Sequence, residues 1–190
     1  YTLTPDNALE LKYEAVCDQD TICSLTNHAY FNLDGTFETV LDHEVFIGAD
    51  KVTVVDDELI PHGELKDVKG TAFDFTTAKK IGKDIKADEH MIEIARGYDF
   101  NYVLRGEGVR KVATAHSQNS GIEMSVYTDR KCMQFYTGNF LGGLKGKKTY
   151  GYQSAFCMET QGYPNACNVP EFDSMTLEKD TKYTAYTKYA

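Results

Sequence analysis

The sequence has no tryptophan and only five cysteines, and no two cysteines have CxxC spacing. An odd cysteine count without that spacing argues against a disulfide framework and against a structural zinc site. We therefore expect reduced thiols, with Cys157 and Cys167 as small buried apolar residues. Because tryptophan is absent, a sugar or planar ligand would have to stack on one of the 13 tyrosines or 10 phenylalanines.

Basic residues are outnumbered. The chain carries 20 lysines and arginines against 29 aspartates and glutamates, which gives a net charge of -9. Because nucleic-acid affinity depends on clustered positive charge, this balance disfavours nucleic acid as a partner.

Long apolar runs are also missing. No run approaches the roughly 20 residues that cross a bilayer, and no basic, apolar and small-residue signal pattern is present. We therefore expect no membrane insertion and a cytoplasmic location. The hydrophobic fraction of 42% and the charged fraction of 26% are ordinary for a globular chain, and 190 residues suffice for one domain with a real core.

Apolar and polar residues mostly alternate with a period of two. In Ala8–Cys17, Leu9 and Leu11 fall on one side while Glu10 and Lys12 fall on the other, a pattern typical of a half-buried strand. Similar β-rich segments follow at His43–Ile47, Lys51–Val55, Tyr98–Leu104, Lys111–His116, Ile122–Thr128, Cys132–Thr137, Ala155–Thr160 and Met175–Thr187.

Turn residues separate these segments. They stand at Thr4–Asn7, Asp34–Gly35, Pro61–Gly63, Arg105–Gly108, Asn119–Gly121 and Gly142–Gly143. Many short strands divided by turns predict a single all-β unit, an antiparallel sheet protein. Only Thr77–Ala95 mixes helix formers with charge, and it predicts one or two short helices. No repeat or linker divides the chain.

Three polar segments interrupt the strand pattern with residues that a scaffold does not need. His28 lies among an amide and aromatics, Asp99 lies between aromatics, and Glu159 lies at an apolar strand ending. Taken alone, a histidine such as His28 beside aromatic residues is more often structural than catalytic. Asp99 is as compatible with an Asx turn as with a functional role. Glu159 in apolar surroundings should be paired or have a raised pKa, as a general base near neutral pH requires.

Together these segments would supply one imidazole, two carboxylates and several amides. The sequence has no nucleophilic serine or cysteine motif, no phosphate loop and no HExxH metal motif. That inventory favours proton transfer on a neutral polar substrate.

Six segments in order resemble the aldose 1-epimerases, the galactose mutarotases. The segments are TLTPDNALELKYEA, TNHAYFNL, VDDELIPHGELKDVKGTAFDF, GYDFNYVL, MQFYTGNFL and FCMETQGYPNACN. The resemblance runs over nearly the whole chain. It implies an antiparallel β-sandwich of the galactose mutarotase-like supersandwich type.

The resemblance also implies roles for individual residues. His28 matches the histidine that protonates the pyranose ring oxygen, and Glu159 matches the base that takes the proton from the anomeric hydroxyl. Asp99 and Gln134 match positions that bind sugar hydroxyls, and Tyr30 lies beside His28. The implied reaction interconverts the α and β anomers of galactose or glucose through the open-chain aldehyde. It needs no metal and no organic cofactor.

The chain departs from the family pattern at Asn165, where the family commonly has aspartate after the proline, and in its missing N-terminal contacts. The family's asparagine-arginine pair and second active-site histidine have no counterpart here, and we interpret His43 and His116 as strand or surface residues. The resemblance thus implies that residues 1–190 are the C-terminal portion of a single sandwich domain whose N-terminal portion is absent. That portion, or another chain, would cover open sheet edges.

An alternative function stays open. A non-catalytic carbohydrate-binding or regulatory protein could use Asp99, Gln134 and aromatic side chains without interconverting anomers. A hexose 6-phosphate is disfavoured as substrate, because the recognisable motifs place no arginine or lysine around a phosphate.

Overall fold

The computed structural model describes all of residues 1–190 and contains two large antiparallel sheets. The strands are β1 Thr2–Leu3, β2 Leu9–Val16, β3 Thr21–Ile22, β4 Glu44–Ile47, β5 Ala49–Val55, β6 Pro61–Asp67, β7 Lys79–Lys80, β8 Asp99–Leu104, β9 Arg110–His116, β10 Glu123–Thr128, β11 Cys132–Tyr136, β12 Cys157–Gln161, β13 Thr176–Leu177 and β14 Lys182–Tyr189. The all-β prediction is confirmed.

The strands form a sandwich. Seven of them pair in the order β1-β2-β14-β10-β9-β4-β7, five pair in the order β12-β11-β8-β5-β6, and β13 pairs with β3 in a small ribbon. One core of 29 buried residues takes side chains from both large sheets, for example Val126 from β10 and Phe135 from β11. The Tyr189 hydroxyl on β14 donates a hydrogen bond of 2.7 Å to the Met158 carbonyl on β12, which ties the sheets together.

The five-stranded sheet has one apolar face and one polar face. Phe100 and Tyr102 of β8, Phe135 of β11 and Met158 of β12 all lie in the core. Because strand side chains alternate, the residues between them face the other way. That second face is the one on which the candidate site lies.

Two short helical segments lie where the sequence predicted them, within residues 77–95. A 3₁₀ helix covers Ile81–Lys83, and helix α1 covers His90–Ala95. Arg96 ends α1 in the left-handed conformation. Its N–H donates to the Glu93 carbonyl, and the Gly97 N–H donates to the Ile92 carbonyl. Neither segment has the length and apolar character needed to span a bilayer.

The predicted turn at Pro61–Gly63 is wrong, because these residues begin β6. The chain reverses earlier, where Leu59 has a positive φ of 64° and an Asp56 carboxylate oxygen accepts the N–H groups of Glu58 and Ile60. Proline can begin this strand because β6 is the edge of its sheet and needs no donor there.

The predicted segment Met175–Thr187 is two strands, β13 and β14. A turn separates them at Asp180, which has a positive φ of 60°, and the Thr181 hydroxyl donates to the Glu178 carbonyl. The residues at this turn, Glu178–Lys182, are all polar, and the predicted segment ran across them.

Four single-residue predictions have mixed outcomes. His116 lies in strand β9, as expected, but His43 is a fully buried residue just before β4 rather than a strand or surface residue. Cys157 is buried as predicted, whereas Cys167 is exposed because it lies in the loop after β12.

Buried His43 makes stability depend on pH. Its Nε2 accepts the Leu33 N–H at 3.0 Å, and burial lowers its pKa despite the opposing charge of Asp34. The unfolded chain takes up this proton as pH falls below about 6.5, whereas the folded chain resists it. The free energy of unfolding should therefore fall below that pH, by up to about 1.4 kcal/mol per unit.

Urea unfolding at pH 8 and pH 5.5 measures this contribution. A His43→Gln variant should lose less stability than the parent on acidification. Equal acid sensitivity of the parent and His43→Gln would contradict the assignment.

Candidate active site

Three adjacent strands place a set of polar side chains on one face. The register pairs Gln134 of β11 with Asn101 of β8 and with Glu159 of β12. Two residues further along β11, Tyr136 pairs with Asp99 of β8 and with Cys157 of β12. Directly paired residues and residues two apart share a face, so these side chains form one surface, which we call the polar face. It is defined by Asp99, Asn101, Gln134, Tyr136, Cys157, Glu159 and Gln161.

The segment that carries His28 runs along the free edge of β12. The Thr26 hydroxyl donates to the Thr160 carbonyl at 2.9 Å, and Phe31 exchanges two backbone hydrogen bonds with Phe156. These contacts hold the segment at both ends. The imidazole between them is therefore directed over the polar face.

His28 and Glu159 meet at this place. His28 Nε2 lies 3.2 Å from Glu159 Oε1, and His28 Nδ1 lies 3.5 Å from Cys157 Sγ. The imidazole packs against the rings of Tyr30 and Tyr136, with centroid distances of 4.9 and 6.2 Å. The His28 side chain is 52% exposed and that of Glu159 only 9%. The imidazole is accessible, and the carboxylate lies beneath it.

Burial raises the pKa of Glu159 to about 7, and the negative charge of Asp99 adds to this effect. The pKa of Asp99 is also raised by burial, against the lowering effect of its hydrogen bond from Gln134 and of the His28 charge. A carboxyl group with a pKa near neutrality can both accept and return a proton at physiological pH.

Amide side chains hold Asp99 in place. Gln134 Nε2 donates to Asp99 Oδ1 at 2.7 Å, and Gln161 Nε2 donates to Asn101 Oδ1 at 3.0 Å. The Gln161 amide also lies 3.4 Å from Gln134 Oε1. This chain of amides orients the Gln134 amide nitrogen toward Asp99.

All five residues singled out in the sequence lie in this region. Glu159, Asp99 and Gln134 are on the polar face, and His28 and Tyr30 lie on the segment beside it. Sequence reasoning missed the roles of Tyr136, Cys157 and Gln161. Alternation within the strands that contain Gln134 and Glu159 would have placed all three on the same face.

A cavity of about 570 Å³ opens beside Tyr30. Its lining is mostly aromatic and apolar and also includes two lysines: Tyr30, Phe37, Leu141, Leu144, Tyr150, Lys145 and Lys147. Its size lies in the range of small-molecule sites. Tyr30 thus contacts both the His28 imidazole and an open space.

His28, Cys157 and Glu159 also form the one cluster of metal-ligating side chains in the structure, with donor atoms within 4.8 Å of one another. The imidazole, however, turns Nε2 to the carboxylate and Nδ1 to the thiol. A single ion can bind only one of these nitrogens. The geometry therefore favours proton transfer through the imidazole.

Glu159 should reduce the stability of the fold above neutral pH. Its pKa is about 7 in the folded chain and about 4.3 in an unfolded one. The folded chain therefore holds the Glu159 proton more tightly, and the stability that this proton gives at low pH is lost as pH rises through about 7. A Glu159→Gln variant should raise the free energy of unfolding at pH 8 by about 1–3 kcal/mol. Thermal unfolding at pH 8 measures this.

The matched control is Glu64→Gln, an exposed strand residue in the same sheet. It should leave the midpoint unchanged. A Glu159→Gln variant that is less stable than the parent at pH 8 would show that the buried carboxylate stabilises the fold instead.

Comparison with known proteins identifies the family. The aldose 1-epimerase profile matches residues 1–190. The chain is 42% identical over 197 aligned residues to the galactose mutarotase of Bos taurus and 37% identical over 195 to the aldose 1-epimerase of Escherichia coli K12. Each match covers 100% of this chain and 56% of the relative. The chain thus spans about half the length of these curated relatives.

Solved structures give the same result. An aldose epimerase homologue from C. elegans matches with a TM-score of 0.88 at 30% identity, covering 100% of this chain and 57% of that one. The galactose 1-epimerase of Lactobacillus acidophilus matches with a TM-score of 0.84 at 27% identity, covering 98% and 54%. On the sequence match over its full length, with these structures in agreement, the chain belongs to the aldose 1-epimerase family.

Proposed function

We propose that this chain provides the proton-transfer groups of an aldose 1-epimerase that interconverts the α and β anomers of a neutral hexose, galactose or glucose. The observation that carries the proposal is the contact between the accessible imidazole of His28 and the buried carboxylate of Glu159, with 3.2 Å between Nε2 and Oε1. The Glu159 pKa of about 7 supports it, because the base must release the proton it takes.

The reaction follows from these two groups. Glu159 takes the proton of the C1 hydroxyl while the protonated His28 gives its Nε2 proton to the ring oxygen. The bond between C1 and the ring oxygen breaks, and an open-chain aldehyde forms. Rotation about the C1–C2 bond presents the other carbonyl face. The reverse transfers close the ring with the opposite configuration, and both residues return to their starting protonation states.

The remaining polar groups suit an uncharged sugar. Asp99 and Gln134 are the residues proposed to bind sugar hydroxyls, and Tyr30 offers an aromatic surface beside the imidazole. The seven side chains that define the polar face include no arginine or lysine to pair with a phosphate, which supports a neutral hexose over a hexose phosphate at that face; Lys145 and Lys147 line the cavity beside Tyr30 instead. The chemistry described requires only side-chain acids and bases.

The place of the chain in the protein and the cell is part of the proposal. Residues 1–190 form the C-terminal portion of one mutarotase-like sandwich domain, and the sugar contacts missing from the polar face come from another portion. We place the protein in the cytoplasm, in hexose metabolism. The assignment of residues 1–190 to one portion of a longer domain is supported by the comparisons, in which this chain matches about half of each relative's length.

Removal of either proton-transfer group should abolish most of the activity. Glu159→Gln and His28→Gln should each lower kcat by about 10²–10⁴, because each positioned proton transfer contributes about that factor. Polarimetry of freshly dissolved α-D-galactose or α-D-glucose measures the rate. Binding calorimetry on Glu159→Gln separates lost chemistry from lost binding.

The control is Glu64→Gln, which should mutarotate at the parent rate. Sugar binding by the parent without any acceleration of mutarotation would favour a non-catalytic carbohydrate-binding protein instead.

Asp99 should set the pH range of the base. Because its charge adds to the raised pKa of Glu159, Asp99→Asn should move the acidic limb of the rate profile to lower pH. The asparagine oxygen can still accept the Gln134 amide proton. Mutarotation rates between pH 5 and pH 8 test this, and an unchanged limb, or one displaced to higher pH, would show that Asp99 does not act on Glu159 through its charge.

A further inference from the structure

The cavity beside Tyr30 has no part in the proposed reaction. It is lined by residues of the loop 32–38 and of a short hairpin, residues 143–150. In this hairpin the Gly143 N–H donates to the Tyr150 carbonyl, and the Tyr150 N–H donates to the Leu144 carbonyl. The tip carries three lysines, so we call residues 143–150 the basic hairpin.

The basic hairpin differs in charge from the rest of the chain. The net charge is -9, yet no aspartate or glutamate lies between Asp129 and Glu159. Lys145, Lys147 and Lys148 take part in none of the ion pairs of the structure. Lys145 and Lys147 line the cavity. Positive charge that no carboxylate neutralises favours an anionic ligand there.

The facing loop does not neutralise this charge either. Its carboxylates belong to Asp34 and Glu38. Asp34 accepts hydrogen bonds from the Ser117 hydroxyl and the Asn119 amide, outside the cavity. Glu38 is exposed and forms no ion pair with the basic hairpin.

Much of the remaining lining is aromatic or apolar and accessible. Tyr30, Phe37 and Leu144 are 48%, 40% and 54% exposed. The Phe37 and Tyr150 rings have centroids 6.0 Å apart and are tilted by 34°. Lys148 Nζ lies 4.6 Å from the centre of the Phe37 ring. A flat ring in the ligand would cover these apolar surfaces and would stack on an aromatic side chain.

The polar side chains of the lining already have partners inside the protein. Asn32 Nδ2 donates to the Glu38 and Ser154 carbonyls, and Asn32 Oδ1 accepts the Asp34 N–H. The Ser154 hydroxyl donates to the Gly151 carbonyl. A sugar would have to bury hydroxyls against groups that are already bonded, which is unfavourable. A nucleobase presents a flat face that needs no such partners.

We propose that this cavity binds a nucleoside phosphate, with its phosphate groups at Lys145 and Lys147 and its base on the exposed aromatic rings around Phe37. The volume of about 570 Å³ lies in the range of small-molecule sites. The ligand would lie against Tyr30, whose ring centroid is 4.9 Å from that of His28. The site is separate from the polar face, and its binding does not depend on the proposed function.

Titration calorimetry with ADP tests the charge requirement. The parent should bind ADP with a Kd below about 1 mM at low salt. The double variant Lys145→Gln/Lys147→Gln should bind about tenfold or more weakly, because two charge-assisted contacts are lost. Both lysines are exposed, so the thermal midpoint should stay at the parent value.

The matched control is the double variant Lys69→Gln/Lys179→Gln. It removes the same charge from two exposed lysines that form no ion pair and lie outside the cavity. ADP affinity should be unchanged. An equal loss of affinity in both double variants would show general charge attraction and would overturn the site.

A second pair of variants tests the base contact. Phe37→Ala should weaken ADP binding by about fivefold or more, because stacking on a base is lost, and should leave pyrophosphate binding unchanged. Phe140→Ala is the control, since Phe140 is exposed, packs on Arg96 and lies outside the cavity. Equal affinity of the parent for ADP and pyrophosphate would contradict a base contact.

The location of the ligand can be measured directly. We expect nuclear Overhauser effects between the adenine protons of ADP and the Leu144 methyl groups, and saturating galactose should not displace ADP. Displacement by galactose, absence of ADP binding, or tighter binding of galactose 6-phosphate than of ADP overturns the proposal. A parent protein that binds ADP at this place but does not accelerate mutarotation contradicts only the proposed function.

Discussion

The alternation of side chains in β8, β11 and β12 is the constraint on which the site depends. Phe100, Phe135 and Met158 point into the core between the sheets, so the residues beside them must face outward. A one-residue slip of β12 would exchange Glu159 for Met158 or Thr160 on the polar face and would bury the carboxylate in the apolar core. The energy that fixes the register of the core therefore also fixes the positions of the side chains on the polar face.

The same arrangement brings stability and chemistry into conflict. Glu159 lies among buried neighbours and close to a second carboxylate, and both conditions raise its pKa toward neutrality. That pKa suits a group that must take up and release a proton, but above neutral pH the fold contains a partly desolvated charge. The anchored segment around His28 provides the compensating partner. Backbone bonds to β12 hold the imidazole there at both ends, so its position does not depend on the ion pair alone.

The sequence predicted most strands of the sheets from local pattern, and the family resemblance singled out His28 and Glu159, which the structure brings into contact. Period-two alternation located most strands, and the motifs around His28 and Glu159 stood out against it. The start of β6 was missed because it depends on tertiary context, the edge position that tolerates Pro61. The turn before β14 was missed although Glu178–Lys182 is a local polar run. The contact of Cys157 with His28 was missed because it depends on tertiary context. A lone cysteine has no pattern, and its contact with His28 exists only when residues 129 apart in sequence meet at a sheet edge.

The central claim is that this polar face interconverts anomers. Two-dimensional exchange NMR on equilibrated D-galactose tests it most directly, because cross-peaks between the α and β anomeric protons report the interconversion rate without product removal. With a catalytic amount of the protein, the account predicts exchange well above the buffer rate at pH 7 and near the buffer rate for Glu159→Gln. Exchange by the parent protein at the buffer rate, under conditions where galactose binds, would contradict it.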